Sequence, residues 1–99
     1  MEASDSELPS LLLVDDDPVL CAVMARALGS RGFDVTVAHT IEDAMRVVDG
    51  EAPEYALVDL KLGEQSGLKL VAQLKAADAQ TRIVVLTGHG SIPTAIEAI

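Results

Sequence analysis

Aromatic side chains are almost absent: Phe33 and Tyr55 are the only two in 99 residues, and there is no tryptophan. Any core must therefore be aliphatic, which suits buried parallel strands rich in Val, Ile and Leu. Basic residues are also scarce. Seven Lys and Arg stand against 16 Asp and Glu, a net charge of −9. A surface this acidic excludes a grip on nucleic-acid backbone, which takes Lys and Arg to displace counterions. It suits solubility and sites that hold a divalent cation. The single cysteine, Cys21, excludes an intrachain disulfide and fits a reducing cytoplasm. No apolar run approaches membrane-spanning length, and the opening MEASDSELPS is acidic rather than signal-like. The expectation is a soluble, cytoplasmic chain with no membrane partner.

What is present is one domain's worth of apolar residues, 49% of the chain, arranged in alternating short and periodic runs. Residues 1–10 are polar and acidic and are expected to form a flexible tail. Leu11 to Val14 is a continuous apolar run, too short for a helix and typical of a strand covered on both faces. Pro18 suits a first helical turn, and Val19, Leu20, Val23, Met24, Ala27 and Leu28 fall on one helical face that Gly29 and Gly32 close. A second strand, Phe33 to Ala38, leads to Thr40 as the cap of a helix carrying Ile41, Ala44, Met45 and Val48 and ending at Gly50. The third strand is Tyr55 to Val58, closed by Asp59. A loop, KLGEQ, precedes Ser66 as the cap of a helix to about Ala77. Ile83 to Leu86 forms a fourth strand ending at Thr87. A last helix is expected from Ser91, with Ile92, Ala95, Ile96 and Ile99 on one side. Strands alternating with helices indicate an α/β fold, a parallel sheet with helices on both faces.

In such a sheet, ligands bind beyond the carboxyl ends of the strands. Three of the four strand ends bring polar groups to that edge: Asp15-Asp16-Asp17, Asp59 and Thr87. Asp17 is placed to cap the helix that Pro18 begins. Asp15 and Asp16 cannot both be caps, and close carboxylates repel unless a cation or proton intervenes. Mg²⁺ is the natural cation, because it takes oxygen ligands and is typically held by one or two carboxylates with phosphate oxygens. An aspartate beside it is a competent nucleophile toward phosphorus. His39 and His89 have no Cys or acidic partner at ligand spacing, so zinc is not expected. Lys61 and Lys69 read as surface charges and Cys21 as a small core residue. Gly63 and Gly67 read as loop and helix-start geometry.

LLLVDDDP, YALVDLKLGEQSG and RIVVLTGHGSIPTAIEAI together resemble the receiver domain of bacterial response regulators, a CheY-like, flavodoxin-like doubly wound sheet, over residues 10–99. The third and fourth units look most like the RegA/PrrA/ActR type of redox-responsive transcription regulators. The resemblance implies strand order 2-1-3-4. It implies that Asp59 takes a phosphoryl group from a sensor histidine kinase. It also implies that Asp16 ligates Mg²⁺ directly, Asp15 mostly through water, and Lys61 through its backbone carbonyl. Thr87 would hydrogen-bond the acyl phosphate and start the switch. Gly63 stands where many receivers carry proline, which should loosen the loop.

Receivers also have a fifth strand, ending in a Lys that pairs with the phosphate, and a fifth helix; neither is in this chain. These would need roughly 20 more residues, so the reading is of an incomplete domain, residues 11–99, that stops within its fourth helix. An open fourth-strand edge, or the fourth helix, would then favour a homodimer. DNA would be reached only through a C-terminal output domain outside the chain. Two other functions compete. Asp15-Asp16-Asp17-Pro18-Val19 fits the haloacid-dehalogenase phosphatase pattern, with Asp15 and Asp17 as its acids and Thr87 as a later hydroxyl, but this leaves Asp59 without a role. A phosphorylation-independent interaction module would need none of the acids.

Overall fold

The computed structural model describes residues 8–89 and 92–98, with side chains described through Leu86 and at Ile96 and Glu97. Residues 1–7 of the expected tail lie outside them. The fold itself starts before Leu11. Ser10 opens strand β1 (Ser10–Val14), its Oγ accepts a hydrogen bond from the Glu54 N–H at 2.9 Å, and the Pro9 carbonyl accepts from Asp34 N–H.

Helix α1 (Pro18–Ser30) follows, then β2 (Asp34–Ala38), α2 (Ile41–Gly50) and β3 (Tyr55–Asp59). A short hairpin, β4 (Lys61–Leu62) and β5 (Gln65–Ser66), leads into α3 (Gly67–Ala77), and β6 (Arg82–His89) and β7 (Ile92–Ala98) complete the described elements. The main sheet has the order β2-β1-β3-β6-β7, with β2, β1, β3 and β6 mutually parallel. This is the expected 2-1-3-4 order, with one strand added.

β1 is the central strand, and its run of four apolar residues is explained by cover on both faces. Leu12 and Val14 join Ala56, Val58 and Ile83 against Ile41, Ala44, Val48, Leu70 and Leu74 of α2 and α3. Leu11 and Leu13 face the other way, against Cys21, Met24, Ala25 and Leu28 of α1. Both aromatics lie in that second cluster, Phe33 and Tyr55 meeting edge to face with centroids 5.6 Å apart.

Helix starts follow the sequence signals. Asp17 caps α1, accepting from the N–H groups of Val19 and Leu20; Thr40 caps α2 and Ser66 caps α3. Helix α1 ends in a Schellman motif: Phe33 N–H bonds the Leu28 carbonyl, Gly32 N–H bonds the Gly29 carbonyl, and Gly32 takes φ +99°.

Two expectations change. The buried face of α1 is Cys21, Met24, Ala25 and Leu28, spaced i, i+3, i+4, i+7. Val19 and Val23 of the expected face are 73% and 62% exposed. A helix this rich in apolar residues satisfies two overlapping stripes, and Cys21 decided between them. Residues 92–98 are strand, not the start of a fourth helix. β7 runs antiparallel along β6, from Ile83↔Ala98 to His89↔Ile92. The β6 edge offers a row of N–H and C=O groups with which β7 pairs. Ile92, Thr94 and Ile96 suit a strand, and Pro93 is tolerated on an edge. An Arg82–Glu97 ion pair of 3.1 Å crosses the two strands. The β6 edge expected to lie open for a dimer is therefore filled from within the chain.

Candidate functional site

The β-strands place the acids. β1 ends at Val14, so Asp15 and Asp16 emerge at its carboxyl end, and the neighbouring parallel β3 ends on Asp59 at the same edge. Carboxylate oxygens of Asp15, Asp16 and Asp59 all lie within 4.8 Å of one another. Asp15 is buried, Asp59 half-buried and Asp16 exposed, so the cluster opens to solvent on one side.

Each carboxylate has a backbone N–H partner. Asp15 Oδ1 accepts from Asp17 N–H at 2.9 Å, Asp16 Oδ2 from Gly63 N–H at 2.9 Å, and Asp59 Oδ1 from Lys61 N–H at 3.3 Å. Burial pushes the Asp15 carboxyl above the usual carboxylate range; the Asp17 N–H partly offsets this, and the charges of Asp59, Asp16 and Asp17 raise it further. Asp59 is raised too, first by burial, with the Lys61 N–H opposing and the Asp16 charge adding to the rise. Three acids are thus held together at an electrostatic cost that a cation would remove. The donor set is all hard oxygen, which suits Mg²⁺ or another hard divalent ion.

The surroundings hold these groups in place. Leu60 N–H bonds the Leu86 carbonyl at 2.8 Å, tying the residue after Asp59 to β6. Helix α3 starts directly on the Asp59 backbone: a Cβ at Gly67 would overlap the Asp59 carbonyl oxygen and come within 3.0 Å of Leu60 Cα. Behind Asp15, its carbonyl accepts from Cys21 Sγ at 3.3 Å and lies 3.0 Å from His39 Nδ1, which donates to it when that nitrogen carries a proton. Burial and the charge of Asp15 push the Cys21 thiol up, which keeps it a donor.

The structure thus brings together Asp15, Asp16 and Asp59. Lys61 reaches Asp59 through its N–H; its side chain is exposed. Asp17 is spent on the α1 cap, so the acid that stands with Asp15 is Asp59 and not the second acid a dehalogenase-type phosphatase would need. Thr87 lies in β6, opposite Thr94 of β7, and its side chain, like that of His89, lies outside the described residues. The loop after Asp59, expected to be loosened by Gly63, is a two-residue hairpin with Gly63 at φ +62°. Positive φ at only the first central residue marks the type II′ turn, in which glycine belongs at that position. Sequence reasoning missed the parts played by Gly63 and Gly67. Glycine at the first of two residues between Leu62 and Gln65 was the available signal for the first.

A doubly wound sheet, parallel except for β7, with an acid triad at its carboxyl edge is the arrangement of a CheY-like receiver. Residues 11–99 match the family model described as "Response regulator receiver domain", and the chain belongs to that family. Among curated relatives it is similar to the photosynthetic apparatus regulatory protein RegA of Rhodobacter capsulatus, 44% identical over 90 residues, covering 91% of this chain and 49% of that protein. It is also similar to the acid tolerance regulatory protein ActR of Sinorhizobium medicae, 38% identical over 101 residues, covering 98% of this chain and 52% of that protein. The chain spans about half the length of these relatives. Among solved structures it resembles a response regulator from Burkholderia pseudomallei, with a TM-score of 0.78 and 40% identity. That alignment covers 85% of this chain and 49% of that one, and the protein was solved with a phosphorylated aspartic acid, a calcium ion and citrate.

Proposed function

We propose that Asp59 is the phosphoacceptor of a two-component switch, supplied by a sensor histidine kinase. The observation that carries this is the convergence of three acids on one sheet edge, with Asp59 alone belonging to β3. A carboxylate oxygen of Asp59 attacks the phosphorus, a P–O bond forms, and the P–N bond to the donor imidazole breaks. Asp15, Asp16, Asp59 and the Lys61 carbonyl would hold Mg²⁺, which neutralises charge on the phosphoryl oxygens and the attacking carboxylate. The chain's own residues do the positioning. The Lys61 N–H holds one Asp59 oxygen, the Leu60–Leu86 bond fixes the backbone behind it, and Gly67 lets α3 close on that backbone. Thr87 would hydrogen-bond the acyl phosphate, and the added charge biases a two-state equilibrium.

The output is transcription control through a DNA-binding domain beyond this segment, in the cytoplasm. This reading is supported by relatives named as regulatory proteins and by the absence, among the described residues, of a helix long and apolar enough to cross a membrane. The chain acts as a signalling acceptor, with no catalysis beyond its own phosphotransfer and dephosphorylation. Incubation with Mg²⁺ and acetyl phosphate, followed by peptide mapping, tests the assignment. Modification of Asp59 supports it. Modification of Asp15 points instead to phosphatase chemistry, and no modification of a full-length version points to an interaction module.

A further inference from the structure

The β4–β5 hairpin connects the two backbone segments that carry the acids. Leu62 is 5% exposed and sits in the core cluster with Val14, Val58 and Leu70, so the hairpin is anchored from below. It is closed by the pairs Lys61↔Ser66 and Leu62↔Gln65, and turned by Gly63 at φ +62°. Lys61 and Gly63 lie two residues apart, and their N–H groups go to different carboxylates, Asp59 and Asp16. The second bond spans 47 residues of sequence and ties the loop after β1 to the loop after β3.

We propose that Gly63 is a positioning residue for the cation site, its N–H setting the orientation of the Asp16 carboxylate. This rests on the reading of the three acids as a divalent-cation site. Asp16 is the exposed member of the cluster, with least packing to hold its side chain. A hydrogen bond to Oδ2 fixes rotation of the carboxylate, and a carboxylate with one lone pair engaged keeps the others for a metal. In this hairpin residue 63 meets two requirements at once: it takes positive φ at the first place of a type II′ turn, which glycine does freely and other L residues only with strain, and it donates an N–H. Proline, which many receivers carry at this place, has neither a positive φ nor an N–H, so the bond to Asp16 belongs to a loop that glycine closes. The identity of residue 63 therefore tunes cation affinity without touching the cation.

The test is Mg²⁺ titration of the chain by calorimetry, with amide NMR, for the unsubstituted protein, a D-alanine replacement and an amide-to-ester replacement at residue 63. The ester deletes only the N–H and keeps the turn. The ester should lose about 10-fold or more in Mg²⁺ affinity, as other partners of metal ligands do. The D-alanine variant should stay within about threefold of the parent, because it keeps both the N–H and the positive φ. The Gly63 amide signal should shift in Asp16→Ala, a response that a purely structural turn would not give. An ester variant that binds Mg²⁺ like the parent, or a Gly63 amide indifferent to Asp16→Ala, overturns the inference alone. No Mg²⁺ binding by the unsubstituted chain overturns the reading of the acid cluster and the inference with it.

Discussion

Replacing Asp59 by asparagine should stabilise the cation-free protein. Asparagine keeps the shape of the side chain and an oxygen to accept the Lys61 N–H, but removes one charge from three carboxylates within 4.8 Å of one another. At that distance each like-charge pair costs about 0.9 kcal/mol at the dielectric of water and about 3.5 kcal/mol at an effective dielectric of 20. Asp16 is exposed, so its repulsion of Asp59 lies near the lower figure; Asp15 is only 4% exposed, so its repulsion lies higher. Allowing for salt and partial protonation, Asp59→Asn should gain about 1–3 kcal/mol at neutral pH without metal. For a domain this size each kcal/mol is worth about 4–8 °C in Tm.

The pH dependence has a definite sign. Asp15 and Asp59 have folded-state pKa values raised above 3.8. The stability linked to their protonated forms is complete below 3.8 and is lost as pH rises through the raised folded values. The advantage of Asp59→Asn should therefore vanish at acid pH and grow toward neutrality. Saturating Mg²⁺ should erase or reverse it, since the parent then holds the ion with one more anionic ligand. Urea unfolding in EDTA and in Mg²⁺, across pH, reads all three effects. A variant no more stable than its parent in EDTA at neutral pH would refute the repulsion argument.

Other substitutions test separate parts of the account. Gly67→Ala places a methyl group on the Asp59 carbonyl and should cost about 1–3 kcal/mol together with weaker Mg²⁺ binding. Gly29→Ala, which meets nothing within 4 Å, should instead stabilise α1 by about 0.5–1 kcal/mol; thermal melts compare the two. Leu70→Ala, in the fully buried face of α3, should cost about 2–5 kcal/mol by urea denaturation. Asp17→Ala should cost about 0.5–2 kcal/mol as a lost cap and leave Asp59 modification by acetyl phosphate intact, whereas a phosphatase using Asp17 would be disabled.

The strands LLLV, YALV and IVVL were legible as short apolar runs, the sheet order came with the family resemblance, and the caps Asp17, Thr40 and Ser66 announce their helices by side-chain chemistry. The acids could be read for the same reason: strand ends fix where residues 15, 16 and 59 emerge. Three features could not be read this way. The inner face of α1 was ambiguous because apolar residues occupy most of its surface, and only packing of Cys21 on β1 selects one stripe. The turn at Gly63 is a two-residue event whose partner, Asp16, lies 47 residues away. The segment from Ile92 to Ala98 has helical spacing and strand-forming residues at once, and the open β6 edge decided between them.

The central claim is that Asp59, and no other acid of the cluster, carries the phosphoryl group. Borohydride reduction of the protein after treatment with acetyl phosphate and Mg²⁺ tests it most directly, because an aspartyl phosphate is reduced to homoserine at the residue that held it. Homoserine at residue 59, absent when Mg²⁺ is withheld, is the predicted result. Homoserine at residue 15 or 16 with residue 59 intact would contradict it.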